Sequence, residues 1–178
     1  YTPWDDYYGN LIVLQHENGL FTFYGHLSQI DVVVGGIVKS GELIARVGHT
    51  GVAIGGHLHF EVRTGGDASD FNSTENPELW LPLQKGMGAL SISLAGHGDG
   101  KIQRSFIIMR YAAGTNVSEK KYYVSTYPKG FEHNEEDFAL SNLPPGRYRI
   151  AFNDETGLHE RIVTVEEGKL TQVIIELE

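Results

Sequence analysis

The chain has 178 residues, room for one domain or two small ones, and its 40% hydrophobic and 21% charged content is that of ordinary globular proteins. A net charge of −9, with no basic patch, argues against nucleic acid or an anionic membrane as partner. Cysteine is absent, which excludes disulfides and thiolate metal sites, and no apolar run approaches the roughly 18 residues of a membrane span. The chain carries no signal peptide and opens at Tyr1 rather than Met, so it is expected to be an internal or C-terminal piece of a longer protein.

Glycine is abundant, and short apolar, β-branched and aromatic runs alternate with turn residues. Long helical periodicity is missing, which predicts an all-β fold. In chain order, strands are expected at 10–16, 21–27, 30–34, 43–47 and 57–63. Asn18-Gly19 between the first two is a hairpin signal. Gly35-Gly36 and Ser40-Gly41 mark further turns, and residues 65–77 are polar and loop-like. Glu78-Leu79-Trp80-Leu81-Pro82 reads as a closing segment packed on a first domain, residues 1–83, and residues 84–88 as a linker. A second domain, residues 89–178, is expected to hold strands at 91–94, 105–111, 121–126, 147–152, 160–165 and 171–177. Six strands in about 90 residues fit a small antiparallel β-sandwich.

The chemistry concentrates in Gly55-Gly56-His57-Leu58-His59-Phe60-Glu61-Val62-Arg63. On a strand, residues two apart share a face, so His57 and His59 are expected to project together, with Leu58 and Phe60 turned away. Such a pair suits a metal ligand beside an acid/base group; it is equally what a strand with two surface histidines looks like. Thr50 to Gly56 is Gly-rich but lacks the Gly-Lys-Ser/Thr of a phosphate loop, so nucleotide binding is not expected.

Three segments together carry a family likeness: Tyr8-Gly9-Asn10 leading to His16, Tyr24-Gly25-His26-Leu27, and Gly48-His49-Thr50-Gly51 leading to His57-Leu58-His59-Phe60-Glu61. In this order and spacing they resemble the lysostaphin/LytM-type zinc metallopeptidases, which cleave peptide bonds in bacterial peptidoglycan. The resemblance runs from about Tyr7 to Leu81 and implies a partial peptidase β-sheet domain of the duplicated hybrid motif type. It implies that His59 binds zinc and that His26 and His57 are the catalytic histidines. It also implies peptidoglycan peptides as substrate and a secreted or cell-envelope location in a bacterium. In that family zinc is also held by a His-x-x-x-Asp pair, and none precedes His16 here. The chain is therefore expected to start inside the peptidase domain, with an upstream segment or a second chain supplying the remaining zinc ligands. The alternative is a degenerate, noncatalytic homologue that serves as scaffold or activator of other wall enzymes.

Other histidines are expected to matter less: His16 as a structural strand-end residue, His49 in a turn bordering the groove, and His97, His133 and His159 on the surface. Asp5 and Asp6 are adjacent, point to opposite faces of an extended chain and do not read as a metal pair. Trp4, Tyr7 and Tyr8 are either groove-wall aromatics or packing residues. The second half, through residues 138–148 and 163–169, resembles the prealbumin-like and Cna B-type sandwiches appended to extracellular proteins. It shows no catalytic cluster, which implies a spacer, stabilising or wall-binding role.

Overall fold

The computed structural model describes residues 4–95, 103–127 and 136–177, with side chains from Asp6 onward; His97, His133 and the side chains of Trp4 and Asp5 lie outside the described residues. The contact pattern divides the chain into two units, Tyr1–Pro77 and Glu78–Glu178. Strands dominate both, as expected for an all-β chain.

The first unit opens with a five-residue helix, α1 (Trp4–Tyr8), so the extended backbone expected at Asp5 and Asp6 is helical instead. The strands β1 (Ile12–Gln15), β2 (Phe21–Gly25), β5 (His59–Arg63) and β6 (Thr74–Glu75) form an antiparallel sheet in the order β1-β2-β5-β6. The predicted Asn-Gly hairpin joins β1 and β2: Gly19 takes a φ of 77° and its N–H donates to His16 O at 3.1 Å. The strands β3 (Leu27–Ile30) and β4 (Ala45–Val47) pair as a separate ribbon. The expected strand at 30–34 is therefore displaced toward the N-terminus. Val33 and Val34 are 79% and 108% exposed, and Gly36 N–H closes a tight turn onto Val33 O at 3.0 Å. A β-branched run without a partner strand stays irregular, because strand preference lies largely in packing against neighbours.

The second unit holds seven strands among the described residues: β7 (Gly88–Ala95), β8 (Ser105–Tyr111), β9 (Ser118–Ser125), β10 (Phe138–Leu143), β11 (Gly146–Asp154), β12 (Gly157–Val165) and β13 (Leu170–Glu176). They form a three-stranded sheet, β10-β7-β13, and a four-stranded antiparallel sheet, β12-β11-β8-β9. The β7–β13 pairing is parallel, so the first of these is mixed. Leu90, Ile92, Val173 and Ile175 from one sheet share a core with Phe106, Ile108, Ile150 and Phe152 from the other. These side chains recur every second residue, the strand period read from the sequence. Tyr148, fully buried, donates its OH to Pro144 O at 2.6 Å and ties down the Leu143–Gly146 turn.

The strand β10 lies where no strand was expected. Asn142 takes a left-handed φ of 55°, and the register against β7 shifts between Leu140 and Leu143. This bulge anchors the incoming chain. Glu78, in a short 3-10 turn (Pro77–Leu79), accepts hydrogen bonds from Ser141 N at 2.8 Å and from Ser141 Oγ. Gln84 N donates to Asn142 Oδ1 at 2.8 Å. The segment read as closing the first domain is thus bonded to the second unit through Glu78.

Candidate functional site

Three imidazoles meet at the end of the β2–β5 pair. His59 begins β5 and lies opposite Gly25, the last residue of β2. His26 follows Gly25 directly, and its ring centroid is 5.4 Å from that of His59 and 4.8 Å from that of His57. His57 stands outside β5, in an isolated bridge to Gly48 with its N–H on Gly48 O at 3.1 Å. The sequence places His57 and His59 together on one strand; the structure leaves His57 outside β5, and the His26 ring lies against both.

His26 is held in a conformation that a histidine rarely adopts. Its φ is 58°, in the left-handed region, which costs a non-glycine residue about 1 kcal/mol. The cost is offset by neighbours from two other segments. The His26 N–H donates to Tyr8 O at 2.7 Å, and its Nδ1 is 2.9 Å from Thr50 O. Thr50 is fixed in turn: its Oγ1 donates to Leu27 O at 2.8 Å and accepts from Asn10 N at 3.0 Å. Residues 7–10 and 50–52 approach so closely that a Cβ on Gly51 would lie 2.3 Å from Gly9 N. Glycine is required there by both space and a φ of 72°. His26 itself is only 2% exposed.

The hydrogen bonds assign a role to each ring nitrogen. A backbone carbonyl only accepts, so Nδ1 of His26 carries a proton toward Thr50 O, and in the neutral ring the lone pair is on Nε2. His57 repeats the pattern, with Nδ1 3.1 Å from Gly55 O. His59 is reversed: its Nε2 lies 2.7 Å from Glu61 Oε1, so the carboxylate takes that N–H and, in the neutral ring, Nδ1 carries the lone pair. Two rings therefore present Nε2 and one presents Nδ1.

Behind His59 lies a buried charged network that the sequence reading did not single out. Tyr8 OH donates to Glu61 Oε1 at 2.5 Å. Arg63 donates to Glu61 Oε2 from Nε at 2.9 Å and from Nη2 at 2.6 Å, and to Tyr8 OH at 3.0 Å. The Arg63 side chain is fully buried, with its guanidinium 4.1 Å from the centre of the Phe23 ring and Nη1 donating to Ala68 O at 2.8 Å. Burial alone would push the Glu61 carboxyl up. Hydrogen bonds from His59, Tyr8 and Arg63 outweigh it and hold Glu61 below the ordinary glutamate range. Burial, then the adjacent Glu61 carboxylate, raises the Tyr8 phenol well above the usual tyrosine value. The period-2 alternation that pairs His57 with His59 continues to Glu61 and Arg63, and that was the available signal for this network.

The two adjacent tyrosines divide their work. Tyr8 is buried and its ring meets His59 edge-on at 5.1 Å. Tyr7 is about half exposed, edge-on to His59 at 6.0 Å and 6.3 Å from His26, and forms a wall of the cluster. The remaining histidines lie elsewhere. His16 bonds Thr22 Oγ1 at 2.9 Å beside the hairpin, and His49 is exposed in its turn. His159 is not a bare surface residue: it pairs with Asp154 at 2.9 Å and stacks on Phe152 at 4.7 Å.

Among the described residues no group of three or more His, Asp or Glu is arranged to hold a metal ion. The donor chemistry does fit one ligand. His59 offers a bare Nδ1 whose opposite nitrogen is anchored by a carboxylate, the usual build of a metal-binding histidine.

Residues 1–71 match Peptidase family M23, so the family resemblance read from the sequence holds over that span. The chain is 46% identical over 59 residues to the DD-carboxypeptidase/endopeptidase Mpg of Neisseria meningitidis serogroup B, covering 33% of this chain and 14% of that protein. It is 48% identical over 56 residues to the peptidoglycan DD-endopeptidase ShyB of Vibrio cholerae, covering 32% and 13%. An uncharacterized metalloprotease of Haemophilus influenzae is 43% identical over 60 residues, covering 34% and 13%. The chain thus spans about one seventh of the length of these relatives. No helix among the described residues is long and apolar enough to cross a membrane.

Proposed function

We propose, from the M23 match over residues 1–71, that this chain is part of a zinc-dependent endopeptidase acting on peptidoglycan peptide crosslinks outside the bacterial cytoplasm, secreted or in the cell envelope. The observation that carries the reading is the cluster of His26, His57 and His59, each anchored through one ring nitrogen and presenting the other. In this reading His59 binds zinc through Nδ1, and the remaining ligands come from an upstream segment or a second chain. The metal, when bound, supplies a Lewis acid that polarises the scissile carbonyl. His26 and His57 act through Nε2. Either can take a proton from the attacking water or, once protonated, donate a hydrogen bond to the developing oxyanion. The left-handed backbone at His26 and the Thr50 carbonyl hold its ring in place before substrate arrives. Tyr7 flanks the peptide, and the second unit serves as an accessory module.

Zinc analysis of the full-length protein, followed by peptidoglycan digestion with His59→Ala as control, tests the reading. Stoichiometric zinc and activity lost in the variant support it; a metal-free, inactive full-length protein sinks it. That last result would favour a noncatalytic scaffold on a degenerate peptidase fold, the reading motivated by the lack of a three-ligand group among the described residues.

A further inference from the structure

We infer that Glu61 is the positioning residue of the site: clamped by Arg63 and Tyr8, it fixes the proton of His59 on Nε2 and so makes Nδ1 the metal-binding nitrogen. The inference rests on the reading of His59 as a ligand and extends it to a residue that does not itself touch metal or substrate. Its basis is the way the two Glu61 oxygens are divided. Oε2 takes two donors from Arg63, at 2.9 and 2.6 Å. Oε1 takes the Tyr8 hydroxyl at 2.5 Å and the His59 Nε2–H at 2.7 Å. Every donor in this set except the imidazole is committed: a guanidinium has no acceptor, and the Tyr8 oxygen already accepts from Arg63 Nη2 at 3.0 Å. Apart from a half-turn that exchanges its two equivalent oxygens, the carboxylate cannot turn without leaving a buried Arg63 donor unmet. Its orientation, and with it the tautomer of His59, is set by residues on two elements, α1 and β5.

The same geometry makes Glu61→Gln a sharper test than removal. Arg63 only donates, so the new amide must turn its oxygen toward Arg63 and its NH₂ toward Tyr8 and His59. An NH₂ facing Nε2 needs a lone pair there, which moves the ring proton to Nδ1 and occupies the nitrogen that should bind metal. A substitution that keeps size and shape thus inverts the ligand.

The experiment has two readouts on the full-length protein. Nitrogen-15 NMR of the metal-free form reports the His59 tautomer, and competition against a chelator reports zinc affinity. The wild type is expected to show the Nε2–H form. Glu61→Gln is expected to show Nδ1–H, with zinc affinity lower by about 10- to 100-fold. An Nδ1–H ring in the wild type overturns the inference, even if no variant folds. So does a folded Glu61→Gln protein with unchanged tautomer and unchanged affinity. Failure of the underlying reading looks different: His59→Ala would leave zinc affinity intact, while the tautomer of His59 in the parent protein could still be Nε2–H.

Discussion

The interiors of the two units are built from different materials. The second unit fills its centre with Leu90, Ile92, Phe106, Ile108, Tyr148 and Ile150, all at most 1% exposed, in two sheets that share one apolar core. The first unit has Leu27 and Val62 equally buried, but beside them it buries His26, Glu61 and Arg63. Apolar packing is forgiving, because neighbours relax around a change and each contact is small. A buried ionic network is not, because each member leaves an unmet charge when its partner goes. The second unit buries carboxylates too, Glu136 and Asp137, but they accept from Tyr127 OH and Leu94 N and lie outside its shared apolar cluster, whereas in the first unit the buried Glu61 and Arg63 stand directly behind the imidazoles.

Substitutions can break this contrast. The largest effect is expected at His26, where His26→Asn should keep the fold, since asparagine tolerates left-handed backbone, yet, on the proposed function, lower peptidoglycan hydrolysis by the full-length protein by about 10²- to 10⁴-fold. A fall of less than tenfold at equal zinc content would remove His26 from the chemistry. Next is Arg63→Met, which strands the Glu61 carboxylate in the interior. It should destabilise the first unit by about 3–5 kcal/mol, read as a lowered denaturation midpoint. In the second unit Ile108→Ala should cost about 3 kcal/mol by leaving a cavity. Zinc uptake by the full-length protein should be unaffected; if uptake falls as well, the two interiors are not energetically separate.

The pH response should follow the same division. Glu61 is held below its ordinary range, so its contribution is present at neutral pH and is lost as acid carries the pH down through its folded value. Tyr8 and Tyr148 are both raised, chiefly by burial, so both units lose stability as the pH climbs past about 10, where an unfolded tyrosine ionises. Thermal melts across pH should show that alkaline loss; Tyr8→Phe should relieve part of it, and an unchanged alkaline limb would contradict the assignment. The smallest effect is expected from Glu160→Ala, which removes an exposed pair with Arg149 and should change the unfolding free energy by about 0.5 kcal/mol.

Much of this arrangement was legible in the residues. Alternation located most of the strands, Asn18-Gly19 located the hairpin, and the two histidine motifs named the three rings that the fold brings together. What the pattern could not convey was long-range. That Thr50 O would receive the His26 proton depends on residues 24 positions apart, and that Tyr8 would reach Glu61 depends on residues 53 apart. Nor did adjacency predict that Tyr7 and Tyr8 would part company, because the five-residue helix α1 turns successive side chains by about 100° where a strand would oppose them. The expected strand at 30–34 was drawn by its valines, whose preference counts only where a partner strand exists.

One last consequence concerns where this protein can be divided. The stretch from Glu78 to Gln84 is fastened at both ends to the bulge of β10, by Glu78 to Ser141 and by Gln84 to Asn142. Genetic recombination that joined a new partner at residues 84–88 would take away the acceptor on which the Ser141 N–H and hydroxyl depend. A junction at or before Pro77 would carry the whole fastening along. The portable cassette therefore begins with Glu78, and the segment that reads as the close of the first unit is the part that has to travel with the second.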